Sequence, residues 1–561
     1  MGVRIRYGNY APEAKENFDA TSYQSQFDTL DQLKKYHLRP KKYGNPCELY
    51  QTALDGTYKP FPNNVKEENI GFWSNTVSGE KGVFETPITI SLNSERYFSS
   101  QSISLVFDAD NGIYCNELLI TWYRGGEEIE SKRFFPNSAE FICENTVKDY
   151  NGISIVFYSI NMPYNRLKVA SIDHGYYEWF DGGNIKNIKI IQGIDPISSE
   201  MSINTADLSL NIVSDKEVIF QPYQPIDIYF NDKLHSSTLI KDFKRKSKSV
   251  WEIKTEDYIG KMDGVDYIGG IYKNERAVDI LNDIFSVAKV PFRVDDSLSE
   301  KMVSGYIPYT TCREALKQVC FAIQAVVDTS YSDVVNVRVL SENLSQNIPL
   351  ERIMQGQSFE YEEQITSVEI TCHEYDAIDE QKVAYSAKDE DIGNTVFVKF
   401  SEPLHDFSIE NGIIIEAKTN YAIIKPDKEC VFYGMKYNHQ TTIKKKTRDY
   451  LPANVKEKVL AVENATLVSL ANVDNILEVC YNFYENNSIV SLRIVEGKHP
   501  NKSASYSGGD YAEYDKEVFV GDSISCQTEF LGDIDGRVIE QRYSLNGGII
   551  IKNTKMKRTT V

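Results

Sequence analysis

Eight Asn-Gly or Asp-Gly pairs punctuate this chain: Asp55-Gly56, Asn111-Gly112, Asn151-Gly152, Asp181-Gly182, Asp263-Gly264, Asn411-Gly412, Asp535-Gly536 and Asn546-Gly547. Both residues of such a pair tolerate the positive φ of a type I′ turn, so the pair is a strong local hairpin signal. Several stand between segments with the period-two alternation of a half-buried strand. Tyr543 and Leu545 lead into Asn546-Gly547, and Ile549 and Ile551 continue the alternation on the return. The pattern predicts a chain of β-hairpins and meanders. Its aromatic content, 12% with 36 Tyr and 26 Phe, suits strands.

With 561 residues the chain is long enough for several domains. Its 81 Asp and Glu outnumber 61 Lys and Arg, for a net charge of −20. A chain so acidic offers neither a basic nucleic-acid surface nor a polybasic membrane anchor. No apolar run has the length of a membrane span. The start, Met-Gly-Val-Arg-Ile-Arg-Tyr, lacks the apolar core of a secretory signal. Nine scattered cysteines without a C-x-x-C pair read as reduced thiols of a protein folded in cytoplasm.

The expected fold is mainly β and multi-domain. Residues 1–60 read as an extended N-terminal arm, ordered by Tyr7, Tyr10, Phe18, Tyr23, Phe27 and Tyr36. Residues 61–180 read as a jelly-roll-like β-sandwich, with strands at 87–92, 102–107, 117–123, 140–144 and 152–158. A second β unit follows over 181–260, where Leu208, Leu210 and Ile212 alternate, as do Ile226, Ile228 and Phe230. Its basic run Lys241–Ser249 is expected to be a solvated hairpin tip.

A small α/β module occupies 261–344. Asn274 is expected to cap a helix carrying Ala277, Leu281, Ile284 and Phe285, stopped by Pro291. Thr311-Cys-Arg-Glu314 is a capping box for the next helix. Residues 345–465 and 466–561 return to β. A helix near 472–486 interrupts them with the apolar stripe Ile476, Val479, Cys480 and Phe483. Lys498–Asp510 reads as a polar loop.

Local catalytic signatures are missing. The sequence holds no H-E-x-x-H, no zinc-spaced Cys/His cluster, no G-x-S-x-G and no Gly-rich phosphate loop. Cys312 and Cys320 read as buried small hydrophobes. Asp108-Ala-Asp-Asn-Gly112 has the spaced carboxylates of a calcium loop, but Leu119 stands where the twelfth-position Glu belongs, so a β-turn is expected. No metal, cofactor or catalytic residue is assigned. The candidate binding residues are aromatic: Trp73, Trp122, Tyr123 and Trp179 are weighed as glycan contacts against simple core packing.

From residue 185 a set of structural motifs appears in order. They are Asp195-Pro-Ile-Ser-Ser-Glu-Met-Ser-Ile-Asn, Gln224-Pro-Ile-Asp-Ile-Tyr, Asp257-Tyr-Ile-Gly-Lys-Met-Asp263 and Gly305-Tyr-Ile-Pro-Tyr. Then come Cys312–Ala322, Val326-Val-Asp328, Val520-Gly-Asp, Phe530-Leu-Gly and Gln541-Arg-Tyr-Ser-Leu-Asn-Gly-Gly. This order resembles the tail-tip or baseplate hub proteins of bacteriophages that infect Firmicutes, clostridial ones especially. The resemblance implies a homotrimer in which 181–260 is a first hub β-barrel domain, 345–465 and 466–561 contribute to and complete a second, and the two per subunit build a pseudo-sixfold ring. Such a ring adapts the tail tube to the tip and lets DNA pass.

The implied partners are the tail tube, distal tail or baseplate proteins, and the tape measure protein. The implied location is the virion tail tip, assembled in the host cytoplasm. The sandwich ahead of the hub core departs from minimal hubs and is expected to contact neighbouring tip proteins or host surface glycan. The sequence given ends at Lys557-Arg-Thr-Thr-Val, just past its last hairpin, so wall degradation by this polypeptide is not expected. An adhesin that binds carbohydrate is the alternative reading, and a tail-associated cell-wall hydrolase the second alternative.

Overall fold

The computed structural model of the chain describes residues 2–25, 30, 33, 43–44, 59–60, 71–213, 219–449, 456–494, 517–529, 531–546 and 549–559. The fold is mainly β and multi-domain, with a few short helices. Much of the segment expected as an arm, the Asp55-Gly56 pair and the 498–510 loop lie outside the described residues.

Two large sheets dominate. The first has seven strands, in the order 72–77, 166–173, 83–107, 140–160, 115–124 and 127–134, with 19–21 beside 83–107. Its spine is the antiparallel pair Val83–Phe107 and Glu140–Ile160. Ile88 pairs with Phe157 at one end and Leu105 with Phe141 at the other, with register shifts between Asn93 and Ser102. Such irregularities bend a strand pair. Both halves therefore enclose one core that includes Ile88, Ile90, Ile103, Leu105, Trp122 and Phe157.

The expected sandwich strands are thus segments of longer ones: 87–92 with 102–107, and 140–144 with 152–158. Asn151-Gly152 is not a hairpin turn but strand interior. A Cβ on Gly152 would lie 3.2 Å from the Tyr123 Cβ, so the glycine there makes room for a neighbouring strand. Gly412 and Gly536 also sit within strands, whereas Gly112 and Gly264 occupy turns; Asn546 pairs with Ile549 on the return strand, and Gly547 lies outside the described residues.

The second sheet has thirteen strands gathered from the start, middle and end of the chain. Its main order is 175–180, 3–10, 225–230, 233–245, 250–256, 205–211, 185–193, 532–546, 549–558, 488–492 and 358–361. Strand 523–528 pairs with 532–546 and with 344–348 off this path. Residues 3–10 of the segment expected as an arm lie on the chain's own body as a strand of this sheet. Val3, Ile5 and Tyr7 alternate inward, and the strand is paired on both sides, with 175–180 and with 225–230.

The sheet has two cores. Ile5, Tyr7, Ile190, Leu208, Ile226 and Ile240 belong to one. Ile348, Val490, Ile524, Ile534, Val538 and Met556 belong to the other.

Between these arrays the chain forms helices Ala277–Ala288 and Cys312–Ile323 around Leu281, Phe285, Leu316 and Val319. Arg276, not Asn274, is the N-cap of the first; Asn274 sits at φ 51° in the preceding strand. Thr311 caps the second helix, its hydroxyl accepting from the Glu314 amide at 3.3 Å. The third helix, Val473–Glu485, buries Val473, Ile476, Leu477, Cys480 and Tyr481. Val479, expected in that stripe, is exposed because it lies off the i, i+3, i+4 face that those residues share.

A five-stranded sheet of 367–386, 396–399, 404–418, 421–447 and 459–462 completes the described fold. The Lys241–Ser249 run proves to be half strand, since 233–245 extends to Arg245 and only the remainder turns.

Candidate functional site

Strand 185–193 is where the two arrays of the large sheet meet. It pairs with 205–211 on one side and with 532–546 on the other, Lys189 opposite Ser544 and Gly193 opposite Glu540. Gln192 and Gln541 face each other in that register and are fully buried. The Gln192 Nε2 donates to the His235 carbonyl at 2.9 Å. The Gln541 Nε2 donates to the Val518 carbonyl at 2.8 Å, while its Oε1 accepts from the hydroxyls of Tyr331 at 2.8 Å and Tyr543 at 2.9 Å.

His235 completes the seam. Its ring packs 4.2 Å from Phe230, 4.2 Å from Tyr543 and 4.8 Å from Tyr331. Burial, with the Lys552 charge adding, pushes this imidazole down to about 3, so it is neutral at ordinary pH. Lys552, itself buried, donates to the Val518 carbonyl at 2.7 Å. Buried polar groups held this way fix one register between strands.

A second buried network ties the N-terminal segment to the seven-stranded sheet. Lys15 forms an ion pair with Asp173 and donates to the Ser171 hydroxyl at 2.6 Å. Beside it, Phe18 stacks on His174 at 4.3 Å, and the His174 Nδ1 lies 2.9 Å from the Tyr150 hydroxyl. Burial pushes the Lys15 ammonium down to about 8 against the pull of Asp173, and His174 down to about 3. Asp257 anchors a third junction: it caps Tyr258–Met262 and accepts from the Asn204 amide at 2.9 Å and the Thr329 hydroxyl at 2.5 Å.

Among the described residues no three His, Cys, Asp or Glu side chains form a group that could hold a metal ion. The eight described cysteines are buried, which pushes Cys312 up to about 11 and Cys115, Cys480 and Cys526 up to about 12. Asp108 is used in its turn, accepting from the Asn111 amide group and lying 3.3 Å from the Lys168 ammonium. No helix among the described residues is long and apolar enough to cross a membrane.

The four candidate glycan aromatics do not come together. Trp73 and Trp122 are 1% and 0% exposed in the seven-stranded sheet, so they are core residues and cannot receive a sugar. Tyr123 is half-buried beside Gly152. Trp179 is 45% exposed, but it belongs to strand 175–180 of the large sheet. The Arg4 guanidinium lies 4.4 Å above its ring, and the Tyr229 ring is 5.3 Å away. Of the residues that organise the junctions, Lys15, Gln192 and His235 were not indicated by sequence motifs, whereas Gln541 opens one of the quoted hub motifs without its role being readable there. Only the alternation Val3-Arg-Ile-Arg-Tyr7 offered a readable signal, for the strand itself.

No family model matches the chain, and neither does any curated protein. Among solved structures it is similar to the 43 kDa tail protein of prophage MuSo2 from Shewanella oneidensis, at 8% identity and a TM-score of 0.42, over 68% of this chain and 95% of that one. It is similar to the tail protein from Neisseria meningitidis MC58 at 9% identity and a TM-score of 0.41, over 68% and 93%. Prophage tail protein gp18 from Listeria monocytogenes EGD-e gives 9% identity and a TM-score of 0.38, over 68% and 91%. At such TM-scores these likenesses decide nothing about function.

Proposed function

We propose that the chain is a structural, non-enzymatic hub of a bacteriophage tail tip or baseplate, three copies of which form a ring around the path of the DNA. The observation that carries this reading is the seam. Two strand arrays with separate cores are joined edge to edge through 185–193 and 532–546. A threefold assembly of such subunits presents six arrays, the arithmetic needed between a sixfold tube and a threefold tip.

Two of the hub motifs read from the sequence begin at junctions of this architecture. Asp257 caps the entry to the helical module, and Gln541 anchors the seam. The net charge of −20 suits a passage that DNA must traverse without adhering. On this reading the partners are tail-tube and distal tail or baseplate proteins, with the tape measure protein alongside. The ring is expected in electron micrographs of the purified full chain as a threefold particle with six lobes. Single-lobed particles at every concentration would contradict it.

The adhesin alternative now rests on Trp179 and its Tyr229 neighbour, outside the seven-stranded sheet. Full-chain binding to host surface glycan, lost in Trp179→Ala, would favour it.

A further inference from the structure

One face of the five-stranded sheet carries large apolar side chains in the open. Strands 396–399 and 404–418 flank the first part of 421–447, with Phe397 opposite Ile423 and Ile413 opposite Lys425. Val398, Ile414, Ala422 and Ile424 point inward to a small core. The alternation therefore sends Phe397, Ile413 and Ile423 outward. A register shift between Ile414 and Glu416 turns out Ile415 as well. Phe397 is 52% exposed, Ile413 56% and Ile415 55%. A contiguous apolar patch of this kind on a water-facing sheet marks an interaction site.

Its rim decides what can cover it. Lys399, Lys418 and Lys425 are exposed around the patch, on a chain whose net charge is −20. Glu416, 3.4 Å from Lys418, offsets only part of this positive rim. The same face on a second copy would set lysines against lysines, so a two-fold, self-complementary contact is disfavoured. An acidic part of another copy answers the rim. A contact between two different surfaces of one chain repeats head to tail and closes into a ring when the rotation permits.

Strand 404–418 pairs on one side only among the described residues, yet register shifts at His405/Ser408, Glu410/Gly412 and Ile414/Glu416 interrupt it. Such bulges blunt an edge against further strand pairing. The neighbour is therefore seated on the face, not added to the edge.

We propose that this lysine-rimmed face, centred on Phe397, Ile413 and Ile415, is the contact between successive copies in the ring, seated against an acidic surface of the neighbouring subunit. The inference rests on the hub reading and gives it an interface. The test is light scattering of the full chain over a concentration series, for wild type, an Ile413→Asp/Ile415→Asp variant and a Lys399→Glu/Lys425→Glu variant. All these positions are exposed, and unchanged circular dichroism and melting check that the variants fold. The wild type is expected to be trimeric, and each variant to need at least about tenfold more protein to assemble. A trimeric wild type whose folded variants assemble equally well overturns this face and leaves the hub reading intact. A wild type that stays monomeric throughout overturns both.

Discussion

Gln192 and Gln541, 349 positions apart in the chain, stand opposite each other on paired strands with no exposed surface. Each side-chain amide donates to a backbone carbonyl, of His235 and Val518 respectively. The pair is the polar centre of the join between two β arrays. A slip of one residue in 532–546 would turn the Gln541 amide to the opposite face from Gln192, so the register is strongly specified.

Gln541→Leu removes the acceptor shared by the Tyr331 and Tyr543 hydroxyls and the donor to the Val518 carbonyl. Buried groups deprived of such partners cost about 1–3 kcal/mol each. Urea denaturation should show a loss of about 2–4 kcal/mol. An unchanged midpoint would mean that the seam does not depend on this side chain.

Lys15 and Asp173 form a buried ion pair, so removing either takes away the buried counter-charge of the other. Lys15→Met is expected to destabilise by about 3–5 kcal/mol, and Lys15→Met with Asp173→Leu by clearly less than the sum of the singles. Additive single effects in a double-mutant cycle would show the two sites to be independent.

Acid should weaken both junctions. His235 and His174 are pushed from the ordinary 6.5 down to about 3, by burial first and by Lys552 and Lys15 second. Between those values the unfolded chain binds protons that the folded chain refuses, so stability falls as pH falls through the window. His235→Leu removes one of the two contributions. Its melting temperature should decline less steeply than that of wild type between pH 6.5 and 4, by the equivalent of about 2–4 kcal/mol. Parallel curves would place the acid sensitivity elsewhere.

Gly536 lies inside strand 532–546, where a Cβ would meet the Met556 Cγ at 2.5 Å and the Lys557 carbonyl oxygen at 2.7 Å. Since the second contact is backbone, it cannot be relieved by a side-chain rotation. Gly536→Ala should cost about 1–3 kcal/mol by thermal unfolding. A neutral substitution would show that the hairpin 532–558 yields locally.

Much of the β character was legible because alternation is local. Leu208 to Ile212 and Ile226 to Phe230 read as strands from their own residues, and Thr311 to Glu314 read as a helix start. Long-range pairing left no such trace. Val3, Ile5 and Tyr7 alternate as plainly as any core strand, yet nothing local says that 175–180 and 225–230 flank them. The pair Asn151-Gly152 carries a turn signal that packing overrides, because the glycine there makes room for Tyr123. Trp73 and Trp122 differ from Trp179 only in which way their strands face, and that depends on partners distant in sequence. The junction networks are equally silent for Gln192 and His235, and the motif that Gln541 opens does not tell its role, since all three gain their roles only when remote segments converge.

The most direct test of the ring is the solution mass of the full-length chain by light scattering. The account predicts a particle of three times 64.0 kDa at micromolar concentration, at moderate salt. A single species of 64.0 kDa across the whole accessible concentration range would contradict it.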